Sequence, residues 1–174
     1  MGADMYLESV LEPFLETYSG PRKDLHPANA LAEIFRALAA SGGYFRNGYN
    51  CGDIMWAMGL SWSAVGDMLD EQHYLPIDRA KELIAMVEGR PFTEEMVARH
   101  YLQNLMEESG HPVSGPAIKA LQRAEPDTQS IDGVEIPEPP DFMVVFDFVT
   151  GKREELLALL RKSIALNEPL RCSV

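Results

Sequence analysis

The sequence predicts a mainly α fold of six to eight helices with a small C-terminal β element, an α+β arrangement. Three observations predict it. Apolar residues recur at helical spacing through most of residues 1–124. One nearly continuous run of apolar, β-favouring residues, 142–149, stands apart from them. Between the two lies 125–141, which holds Pro126, Pro137, Pro139 and Pro140 among acids and reads as a linker or extended surface loop. An all-α fold is the alternative, should 142–149 not be a strand. A chain of 174 residues is most simply one domain. It is read as a helical body over 1–124, the acidic loop over 125–141 and a strand–helix–strand element over 142–174 packed on the body. At this length a chain buries roughly 70% of its unfolded surface and needs no metal or disulfide to fold.

In the first helix, apolar residues at 7, 10, 11, 14, 15 and 18 form a stripe within 5–18. Glu8, Glu12 and Glu16 lie on another face, read as a solvated one. Pro13 should kink that helix or start a new one, since it lacks an N–H. Gly20-Pro21 turns the chain, Pro27 opens a second helix and Gly42-Gly43 ends it. Asp53 is placed to cap a short helix through Met58, and Ser61 to cap another over 62–69. A helix over 77–88 has Ala80, Leu83, Ile84 and Val87 inward, then Gly89 and Pro91. Thr93 caps a helix running to about Ser109, and 116–124 forms a further one. Val134 and Ile136 suit a short edge strand after the turn Asp132-Gly133. After 142–149, Thr150-Gly151 turns the chain into a helix over 152–167. Pro169 stops it, and 170–174 returns as a strand parallel to the first.

The formal net charge is −12. Such a field repels phosphate backbones, so no nucleic-acid partner is expected, and it steers a basic protein toward the chain. The acids are unevenly spread: residues 1–20 carry four and no base, and 126–150 carry six and no base. Two cysteines, Cys51 and Cys172, make no disulfide framework. Asp4 and Glu8 stand where a secretory leader would be basic and then apolar, and no run is apolar enough to span a bilayer. No membrane association and a cytoplasmic location are expected.

The chain is organised around 41–62, which holds five of the thirteen glycines, both tryptophans and two of the six tyrosines. Tyr44, Phe45, Tyr49, Trp56 and Trp62 alternate there with the polar Arg46, Asn47, Asn50 and Asp53. Rings beside glycines suit an interface or pocket wall, because aromatics and Arg dominate binding hot spots. They suit a buried turn between helices better still, and Trp56, Met55 and Met58 read first as core. Cys51 precedes a helix start, where thiol pKa values fall, but no base stands near it in sequence, so a small buried thiol is the simpler reading. Asp67, Asp70 and Glu71 share a face if 67–71 is helical, and otherwise form an acidic turn running into His73. The histidines show no ligand spacing, so no metal site is expected. Thr150-Gly151-Lys152 lacks the first glycine and the following hydroxyl of a phosphate loop. No cofactor is expected.

Charge, rings and the missing catalytic motif predict a non-enzymatic protein-binding accessory, inhibitor or immunity-like protein of bacterial type that docks a basic partner. Tyr44, Phe45, Tyr49, Trp56 and Trp62 would be its anchors, with Asp67, Asp70 and Glu71 in an acidic rim. The alternative is a small-molecule binder or enzyme with a pocket around 44–53, whose polar groups are Arg46, Asn47, Asn50, Cys51 and Asp53.

Overall fold

A computed structural model of the chain describes residues 3–19, 37–47, 55, 58–60, 62–97, 99–100, 130–131, 134–135 and 142–173. Four helices have defined bounds there: α1 Glu8–Ser19, α2 Trp62–Gly66, α3 Ile77–Gly89 and α4 Phe142–Leu166. Residues 37–40 and 94–97 are helical as well. The strands are β1 Ala3–Tyr6, β2 Tyr44–Asn47, β3 Tyr74–Leu75, β4 Ser130–Ile131, β5 Val134–Glu135 and β6 Leu170–Ser173.

The mainly α fold with a C-terminal β element is corrected here. The expected number of helices fits roughly, but they are joined by a four-stranded antiparallel sheet of order β2-β1-β6-β3. Its strands come from both ends of the chain and from the middle. The last strand, β6, lies inside the sheet, with Met5 opposite Cys172 on one side and Leu75 opposite Leu170 on the other. It is antiparallel to both neighbours, where a parallel return had been expected. Among the described residues a second sheet pairs β4 with β5, which are separated in sequence by Asp132 and Gly133. That pairing fits the strand expected after this turn dipeptide.

The expected strand at 142–149 is instead the first part of α4. A continuous apolar run has the same periodicity in a buried helix as in a buried strand, so its pattern does not separate the two. The helix runs straight through the expected turn. The Thr150 hydroxyl donates to the Phe146 carbonyl at 2.7 Å, four residues back, within the helical ladder. With no strand at 142–149, β6 has no parallel partner, and it pairs with β1 and β3. The N-terminal helix also begins later than expected: Met5 and Tyr6 belong to β1, and α1 then runs through Pro13.

The helix ends use two backbone devices of one kind. At Gly42, with φ of +67°, the Gly42 N–H bonds the Ala39 carbonyl and the Gly43 N–H bonds the Leu38 carbonyl. This pair of hydrogen bonds closes the helix that Gly42-Gly43 was expected to stop. At the end of α4, Asn167 takes the same left-handed position, with φ of 51°. The Asn167 and Glu168 N–H groups bond Ile164 and Ser163. Glu168 then reaches across to the start of α1, where its carboxylate accepts the Ser9 N–H at 2.9 Å and also the Ser9 hydroxyl. A carboxylate at that place satisfies free donors and favours the helix dipole.

The core lies between one face of the sheet and the helices α3 and α4. Side chains alternate along each strand, so Met5, Phe45, Leu75, Leu170 and Cys172 share the inner face, each 2% exposed or less. Ala80, Leu83 and Val87 from α3 meet Leu156, Leu159 and Leu160 from α4 behind it. Truncating a buried Leu, Met or Phe to Ala in such a core costs about 2–5 kcal/mol.

Two substitutions test these assignments. Gly151 is helical and exposed, and an added Cβ meets nothing within 4 Å. Gly151→Ala should therefore stabilise by about 0.5–1 kcal/mol, raising Tm by about 1–4 °C in a thermal melt. A turn at this position would give no such gain. Glu168→Ala should destabilise by about 1 kcal/mol through loss of the α1 cap, read as a lower urea midpoint.

Candidate functional site

The outer face of the sheet carries a row of side chains that crosses all four strands. Tyr44 stands opposite Tyr6, Tyr6 opposite Arg171, and Arg171 opposite Tyr74. At the β2 end the row is covered. Tyr44 packs with Leu38, Tyr6, Val10 and Leu11, and its hydroxyl donates to Asp4 at 2.8 Å. Burial, then the Asp4 carboxylate, push the Tyr44 phenol well above its ordinary range. Arg46 also meets Asp4, at 3.5 Å. At the β3 end the row is half open. The Arg171 guanidinium lies 4.7 Å over the Tyr74 ring and donates to the Gln72 carbonyl at 2.7 Å. Such a stack is electrostatically favourable. The Tyr74 hydroxyl sits 3.1 Å from both carboxylate oxygens of Glu8.

The turn before β3 is built by Asp70. Its carboxylate accepts the N–H groups of Gln72 and Tyr74, both at 2.9 Å, and its own N–H donates to the Tyr74 carbonyl. These bonds occupy the backbone groups of Tyr74 that face away from β6, which closes that edge of the sheet. His73 takes a left-handed conformation here, with φ of 63°, and its carbonyl accepts the Cys172 N–H.

Tyr74 thus joins two acidic segments. Glu8 meets its hydroxyl and Asp70 its backbone, with Asp67 and Glu71 beside Asp70 and Glu12 one turn beyond Glu8 on α1. All five carboxylates are exposed, and among the described residues none of them makes an ion pair. On α3 the opposite holds: Asp78, Glu82 and Glu88 pair with Lys81, Arg79 and Arg161. The exposed carboxylates beside a tyrosine hydroxyl can take ammonium or guanidinium groups in charge-assisted hydrogen bonds.

The residues singled out from the sequence are distributed unevenly. Phe45 is fully buried on the inner face and Tyr44 is 5% exposed on the outer one, so both rings are spent on packing. Arg46 is exposed on β2, and Asn47 ends that strand opposite Ala3. Met55 and Met58 are core residues, as their first reading had it. Trp62 opens α2. Tyr49, Asn50, Cys51, Asp53 and Trp56 lie outside the described residues. Asp67, Asp70 and Glu71 do not share a helical face, because α2 stops at Gly66 and the turn held by Asp70 takes over. Tyr6, Tyr74 and Arg171 were not anticipated. They meet only through strand pairing, and nothing local in the sequence marks them.

Among the described residues no group of three or more His, Cys, Asp or Glu is arranged to hold a metal ion. Cys172 is buried on the inner sheet face, and burial pushes its thiol up to about 12. No described helix is long and apolar enough to cross a membrane. No family model, curated protein or solved structure matches the chain.

The Cys172 thiol gives a prediction with a definite sign. The folded chain holds its proton, whereas the unfolded chain releases it near pH 8.5. This contribution to stability is therefore complete below about pH 8.5 and is lost as pH rises toward 12. Cys172→Ser should flatten that part of the stability–pH profile in chemical denaturation. Native Cys172 should also resist alkylation at pH 8 until denaturant is added, as followed by peptide mass spectrometry.

Proposed function

We propose that the chain is a non-enzymatic accessory or inhibitor-like protein that docks a basic protein partner. The observation that carries this reading is the set of exposed, unneutralised carboxylates around Tyr74: Glu8, Glu12, Asp67, Asp70 and Glu71. The rest of the charge pattern supports it. The chain as a whole is at −12, so the long-range field favours approach of a basic surface. The same field disfavours a nucleic-acid backbone. In this reading the acidic rim expected at Asp67, Asp70 and Glu71 extends onto α1, and Tyr74 replaces Tyr44 and Phe45 as the ring at its centre. The protein acts in the cytoplasm and uses neither cofactor nor metal.

Binding of this kind is sensitive to salt, because exposed charges are screened over about 8 Å at physiological ionic strength. The test is capture of partners on immobilised protein, comparing wild type with a Glu12→Lys/Glu71→Lys variant. Both residues are exposed and support no fold contact among the described residues, so the variant should keep its circular dichroism spectrum and Tm. Wild type is expected to retain a protein of high pI that is released as salt is raised. The variant should associate with it about tenfold more slowly or worse. Equal retention by the variant, or retention indifferent to salt, contradicts the proposal.

A further inference from the structure

We draw no further inference here: the strongest candidate, the exposed stripe of small residues Gly151, Ala158 and Ala165 along α4 with the exposed side chains of Phe148 and Leu166 at its two ends, carries nothing, because nothing in the structure shows what covers it.

Discussion

The structure depends on one insertion. Leu170–Ser173 enters between β1 and β3 and pairs antiparallel with both. Without it, β1 and β3 are not joined in one sheet, and the inner face formed by Met5, Phe45, Leu75, Leu170 and Cys172 has a gap at its middle. The insertion is held at its entrance by Asn167 in the left-handed position and by Glu168 on the first turn of α1. Three separate costs are thereby met together: the open carbonyls at the end of α4, the open donors at the start of α1, and the unpaired edges of two short strands.

The same insertion creates the acidic edge. Because β6 separates β1 from β3, Arg171 lands between Tyr6 and Tyr74 on the outer face, and α1 leaves β1 close enough for Glu8 to reach the Tyr74 hydroxyl. The Asp70 turn that closes the edge of β3 leaves Asp67 and Glu71 exposed beside it. On α3 the acids are neutralised locally, through Lys81–Asp78, Arg79–Glu82 and the Arg161–Glu88 pair between α4 and α3. Exposed pairs of that sort add little stability. Their importance lies in local charge: each acid of α3 has a cationic partner, whereas none of the five carboxylates around Tyr74 has one among the described residues.

Much of the helical layer was legible. The 3.6-residue stripe of α3, the glycine stop at Gly42 and the Thr93 cap, whose hydroxyl accepts the Met96 N–H, all follow from local rules that act within a few residues. Of the four-stranded sheet only β6 was legible, as a strand over 170–174, and its antiparallel partners were not. Ala3–Tyr6 and Tyr74–Leu75 are too short for a period-two pattern to register, and their partner β6 lies far along the chain. The run at 142–149 misled because a nearly continuous apolar run carries no period that distinguishes strand from helix, and in the structure it is helical with Phe148 exposed. The grouping of carboxylates around Tyr74 was half legible. Asp67, Asp70 and Glu71 are near in sequence, whereas Glu8 and Tyr74 join them only after β1 and β3 flank the same strand. Tyr44 and Phe45 stood out as rings near glycines, but nothing local in the sequence says which face of a strand is the core.

The most direct test is a nuclear Overhauser experiment on the folded protein in solution. Cross-strand contacts from Met5 to both Phe45 and Cys172 are expected, with sequential amide–amide contacts unbroken from residue 142 to residue 166. Contacts joining 143–148 to 170–173 as parallel strands, with none from Met5 to Cys172, would contradict the account.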